Sequence, residues 1–134
     1  MAFETLLGVH VSVASVLLKL LVGIVFIVHG YPKLKSGGKG AGEWLKSIGI
    51  PSCFGLFAGI VEFFGGILLL VGLLTPVIAV LSALWMLSTT WLSLVKMKKK
   101  FAGGWELDFI LLVALLALAV IGGGVISVDH LLGI

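Results

Sequence analysis

Residues 54–74 read FGLFAGIVEFFGGILLLVGLL, an apolar run in which Glu62 is the only ionisable side chain. At 1.5 Å of rise per residue, a helix of this length crosses the ~30 Å hydrocarbon layer of a bilayer. A charge at that depth costs at least about 2.5 to 3.5 kcal/mol, so it persists where a partner, a wet cavity or a chemical task offsets the cost. Gly55, Gly59, Glu62 and Gly66 recur at i, i+4, i+7 and i+11, which sets them on one stripe of the helix. Small residues on a stripe admit a neighbouring helix closely, so Glu62 is expected to face the interior of a bundle.

The rest of the chain fits that reading. Of its 134 residues, 60% are hydrophobic and 11% charged, and the mean hydropathy is +1.31. Such a composition belongs to an integral membrane protein, and the length suffices for one compact bundle. Apolar windows at about 13–30, 54–73, 77–95 and 106–123 predict four spans, which must be helices because helices satisfy their own backbone in lipid. The expected fold is therefore all-α: an integral membrane four-helix antiparallel bundle forming a single domain over residues 1–134. Gly72-Leu73-Leu74-Thr75-Pro76 reads as a tight reversal with proline placed to start the third span, making spans two and three antiparallel neighbours. The net charge of +3 rests on nine lysines without a single arginine. Eight of these lie in the first and third connections, at 33, 35, 39 and 46 and at 96, 98, 99 and 100, and the opposite face has no lysine outside a span. The pattern reports topology and not nucleic-acid binding: lysine-rich loops cytoplasmic, both termini outside.

Cys53 is the one cysteine, so no dithiol relay exists within the chain, and it is expected to be a small packing residue. The N-terminal apolar run has neither a basic leader nor a small-residue cleavage pattern, which argues against a removable signal peptide. Ala41-Gly42-Glu43-Trp44 and Ala102-Gly103-Gly104-Trp105 share a pattern that fits either duplicated hairpins or recurrent interfacial tryptophans. Residues 42–50 are expected to form a short helix on the headgroups.

The third span carries Ser82, Trp85, Thr89, Ser93 and Lys96 along one face, a polar wall for Glu62 or simple packing glue. Rise per residue sets Glu62 between Trp85 and Thr89 in depth, so an indole N–H or a hydroxyl is the expected partner of its carboxyl. His29 and Lys33, four apart, share a face near the basic end. Glu106 and Asp108 are about 200° apart on their helix, so one of them faces inward, and Glu106 is the choice. Lys19 is expected to pair with Asp129 or to snorkel. His10 and His130 lie at the distal face, and no metal site is expected from them.

Leu18-Lys19 through Phe26-Ile27-Val28-His29-Gly30 with Lys33, Gly59 to Gly66 followed by Gly72 to Pro76, Trp105-Glu106-Leu107, and Ser127-Val128-Asp129 together resemble the DoxX family over almost the whole chain. The chain departs from that pattern at Lys19 and His130, where arginine is usual. Lacking arginine, it offers point charges in place of bidentate acid recognition. The resemblance implies a four-helix membrane protein, and some members are described as small subunits of thiosulfate:quinone oxidoreductase or of membrane redox complexes.

Two functions are expected from these readings. In the first, the chain is an integral membrane subunit of a redox complex in a prokaryotic plasma membrane, assisting electron and proton transfer from a partner to membrane quinone. Glu62 and His29 would handle protons, with Lys33, Trp85, Thr89 and Glu106 completing the quinone site. The chain shows no metal or dinucleotide motif, so its partners are the lipid bilayer, a redox protein and, as an open option, further copies of itself. In the second, it is a non-enzymatic scaffold, chaperone or small-solute carrier, and the Glu62 cluster orders the bundle.

Overall fold

A computed structural model describes residues 3–96 and 98–134, with side chains from His10 onward. It contains helices α1 (Phe3–Lys35), α2 (Lys39–Ser47), α3 (Cys53–Val71), α4 (Thr75–Val95), α5 (Glu106–Ile121) and α6 (Val128–Leu132), and no strand among the described residues. Four of these segments, His10–Lys35, Cys53–Val71, Thr75–Val95 and Phe101–Ile121, are long and apolar enough to cross a membrane. The chain is thus a multi-pass membrane protein built as a helical bundle.

α1 overruns the 13–30 window at both ends and includes Pro32. Proline forfeits one helical N–H, and the helix stops soon after it, at Lys35. α3 ends on Gly72, whose φ of 75° is the left-handed conformation a glycine cap supplies without strain. α4 begins three residues later with proline in its first turn, as the sequence predicts.

The packing joins the spans as two close pairs, α1 with α3 and α4 with α5, and the approaches of α3 to α4 and of α1 to α5 are looser. The α1–α3 seam is closed by glycine. A methyl group on Gly30 would collide with the backbone nitrogen of Phe63, and one on Gly66 would lie 2.9 Å from the carbonyl oxygen of Gly23. Close backbone approach of this kind gives van der Waals contact, the main adhesive available between helices in lipid. Val22, Phe26, Leu69, Ala83, Leu115 and Leu118 form the centre of the core. Leu17, Ile24, Leu84 and Leu116 stay exposed, as expected of residues that face acyl chains.

At one end of the bundle, α2 does not lie free on the headgroups. Gly42 and Leu45 are buried, and the backbone of Gly38 and Gly42 presses on Gly55 of α3. The helix covers 39–47 and not 42–50. Its look-alike, Phe101–Trp105, is an irregular turn with Gly103 at φ 73°. The two matched segments therefore adopt different backbones. Cys53 is exposed and packs no core, because it stands at the first turn of α3 beyond the stripe that meets α1.

The opposite end is tied by Asp129. Its carboxylate oxygens accept from the amides of Leu74 and Thr75, at 2.5 and 2.7 Å, and so cap α4 from a distant point of the chain. Lys19 does not bond Asp129 directly. Its ammonium donates to the carbonyls of Gly123 and Ile126, which have no partner in α5 or α6, while it remains close enough to act on Asp129 through its charge. Burial alone would push Asp129 upward. The two amides, with help from the Lys19 charge, outweigh burial and hold the carboxyl below its ordinary 3.8.

Candidate functional site

Between the two helix pairs, at the lysine-rich end, lies a cavity of about 940 Å³. Every helix except α6 contributes to its wall, and both lysine-rich connections reach it through Lys33 and Lys99. The looseness between α3 and α4 is what leaves this space. Its lining is mostly apolar and aromatic, with Phe26, Trp44, Phe54, Trp85 and Trp91 among the walls.

Glu62 forms the polar point of the wall. It is 8% exposed, set inward by the glycine stripe of α3. Lys33 meets its Oε2 at 2.7 Å, the one ion pair among the described residues. That reach depends on Gly59, where a methyl group would come within 2.9 Å of the Lys33 Cβ, so the lysine stem lies directly on α3. The Lys33 side chain is partly exposed, at 30%. Lys33 therefore links the buried carboxylate to the basic end of the molecule.

The second oxygen, Oε1, has only the indole N–H of Trp85, at 3.4 Å. This is longer than an ordinary N–H···O bond and correspondingly weak. Trp85 also meets Phe57 of α3 in an edge-to-face contact at 5.4 Å that bridges the α3–α4 gap. Of the two partners foreseen for Glu62, the indole is the one in place. Thr89 borders the cavity, but its hydroxyl donates to the Met86 carbonyl of its own helix.

His29 borders the cavity too, exposed at the surface, and its Nδ1 lies 2.8 Å from the Val25 carbonyl, so it does not touch Glu62. Glu106 is not in the cavity. Its Oε1 accepts from the Gly103 amide at 2.8 Å, which closes the irregular turn before α5. The same capture leaves Asp108 as the inward acid, bonded at Oδ2 by the buried Ser93 hydroxyl at 3.0 Å. The choice between these acids is thus reversed from the sequence reading, because a turn amide competes for the first of them. Asp108 and Trp44 are lining residues that the sequence reading left without a role in the site, whereas Ser93 belongs to the polar wall it foresaw. Trp44 had a readable signal, since it lies on the amphipathic helix α2. Among the described residues no three His, Cys, Asp or Glu side chains gather as metal ligands.

The residues that carry the DoxX resemblance divide mainly between two structures, with Glu106 in the turn before α5 belonging to neither. His29, Lys33 and Glu62 build the cavity, whereas Lys19, Gly72 and Asp129 build the distal clasp. Comparison with known proteins places them in context. Over 118 residues the chain is 34% identical to a protein of Bacillus subtilis (strain 168) named "Putative oxidoreductase CatD", covering 88% of this chain and 86% of that protein. No solved structure matches it. The family model described as DoxX matches residues 14–94, and with this relative it establishes that the chain belongs to the DoxX family.

Proposed function

We propose that this chain is an integral membrane subunit of a redox complex, which assists electron and proton transfer from a partner protein to membrane quinone. The observation that carries the reading is a buried carboxylate, Glu62, set in the wall of an aromatic cavity and paired with the partly exposed Lys33. The name of the Bacillus subtilis relative, an oxidoreductase, agrees with a redox role.

The residues suit a quinone in size and chemistry. Ligand cavities commonly run to roughly 300 to 1,000 Å³ with apolar walls and a few placed polar groups, and this one has both features. A quinone, when bound, supplies the capacity to take up electrons and protons. Aromatic walls orient a flat ring and exclude water. Glu62 Oε1 would be the group to meet a ring oxygen or hydroxyl of a bound quinone, where a carboxylate can accept or return a proton. Lys33 holds the other carboxylate oxygen, Oε2, and would mark the way for protons to the basic end. His29, which borders the cavity, would exchange protons with water. In this reading the lysine-rich end faces the cytoplasm of a prokaryotic cell and both termini lie outside.

The test is the assembled complex purified with its native lipids. Bound quinone, together with loss of quinone reduction in Glu62→Gln, is the expected result. Absence of quinone, with reduction undiminished in that variant, rejects the proposal. A scaffold, chaperone or carrier role is the second reading, favoured by one observation: the Lys33–Glu62 pair fastens α1 to α3. If Glu62→Ala abolishes partner assembly and spares ligand binding, the scaffold reading takes its place.

A further inference from the structure

The end of the bundle that holds the Asp129 clasp is built inside out for a surface that meets water. Val120, Val125, Ile126, Leu131, Leu132 and Ile134 are each more than half exposed. Residues 120–134 contain two ionisable side chains, Asp129 and His130, and Asp129 is buried. The outer surface of the segment is thus apolar except at His130. A water-facing loop of this composition would turn its aliphatic groups inward, because burying them is the main force for packing in water. Here they are turned outward.

The polar atoms of the same segment are turned the other way, onto the protein. From Gly122 to Ser127 the backbone is irregular, so its carbonyls lack the partners a helix would give them, yet side chains supply them. The Ser15 hydroxyl donates to Gly122, the Lys19 ammonium to Gly123 and Ile126, and the Ser127 hydroxyl to Gly124. Ser15 and Lys19 reach them from α1 and are themselves buried. The Asp129 amide donates to the Gly72 carbonyl at 2.9 Å. Water ordinarily serves such groups at a loop. A chain that serves them itself meets the condition for irregular backbone at membrane depth, which is tolerated where protein satisfies it.

Position points to the same surroundings. Val125, Ile126, Val128 and Leu131 share a groove with Leu70 and Val71 in the last turn of α3, and Val71 is continuous with the exposed, lipid-facing side of that span. With 19 residues α3 is about 28 Å long, so its last turn lies at the edge of the hydrocarbon and the groove shares that depth. The two ends also differ in their anchors. Trp44, Trp91 and Trp105 lie with the lysines at the basic end, whereas the opposite end has no tryptophan and no lysine outside a span. We infer that the segment from Val120 to Ile134 is seated in the bilayer, its aliphatic side chains among the acyl chains where these meet the headgroups of the leaflet opposite the lysine-rich end. Lipid is the occupant of the patch, and Lys19 takes the place of water for the loop carbonyls. The inference does not depend on what the cavity binds.

The test is spin labelling of the full-length chain in liposomes, with Cys53→Ser removing the native thiol and a nitroxide placed in turn at Ile126→Cys, Leu131→Cys and Ile134→Cys. Two relaxing agents are compared: oxygen, which concentrates in lipid, and a polar nickel chelate, which stays in water. The ratio of oxygen to nickel collision rates is expected to be several-fold above that at Lys39→Cys, an exposed site at the lysine-rich end, and to approach that at Val113→Cys, on the exposed face of α5 within its span. A ratio equal to that at Lys39→Cys overturns the inference and leaves the patch facing water, as a landing surface for a soluble partner would. Low collision rates with both agents also overturn it, and assign the patch to contact with a second copy of the chain. Photolabelling of the unsubstituted protein with a lipid-soluble diazirine gives an independent reading should a labelled variant fail to fold. Label recovered in residues 125–134 upholds the inference, and label confined to the four spans overturns it.

Discussion

At the scale of single residues, two carboxylates settle two ends of the molecule by different means. Glu62 is neutralised by Lys33, and removing one partner of a buried pair leaves the other uncompensated. Lys33→Met is expected to cost about 1 to 3 kcal/mol, less than for a fully buried pair because the lysine is partly solvated. Thermal unfolding in detergent checks it, and the double variant Lys33→Met with Glu62→Gln should recover much of the loss. Asp129 acts as a distant cap whose carboxyl is held below its ordinary value. Below 3.8 the unfolded chain takes up a proton that the folded chain resists, so stability is flat above that pH and falls as acid lowers it further. Asp129→Asn should be destabilised by about 1 to 2 kcal/mol at neutral pH, with its deficit against the native chain shrinking as the pH approaches 3. Glu62 was legible because it is the sole acid within an apolar span. Glu106 was misread because helical angle tells that two acids diverge, whereas a positive-φ glycine turn, invisible to periodicity, decides which one is captured.

At the scale of helices, the α1–α3 seam depends on glycine backbones in contact. Gly30→Ala would drive a methyl group into the backbone of Glu62 and Phe63, and should lower the unfolding temperature sharply, by the equivalent of about 1 to 3 kcal/mol. Gly40→Ala, where nothing lies within 4 Å, is the control and should be neutral or slightly stabilising. The glycine stripe of α3 was readable from its spacing with Glu62. What receives it was not: Gly23 and Gly30 become meaningful only once α1 is known to be the partner. The place of α2 also escaped the sequence, since an amphipathic helix of this length suits a headgroup surface and a cavity wall equally well.

Across the whole molecule, four spans and their order were legible from hydropathy and from the Gly72 to Pro76 turn. The pairing was not, because a short turn brings two helix ends together without dictating how far the helices diverge beyond it. That divergence of α3 and α4 makes room for the cavity. The orientation is open to a direct measurement with the native cysteine. Cys53 is exposed near the lysine-rich end, so a membrane-impermeant maleimide should label it in inverted vesicles and leave it unlabelled in intact cells. Labelling from outside would reverse the assigned topology. The cap that Asp129 places on α4 has a bearing on biogenesis. Fifty-five positions separate it from Leu74, so a nascent chain stalled before Asp129 carries a third span whose leading amides lack this carboxylate. Quality control that recognises such a gap would discard chains arrested before that point, and the arrival of Asp129 becomes the event that locks the bundle.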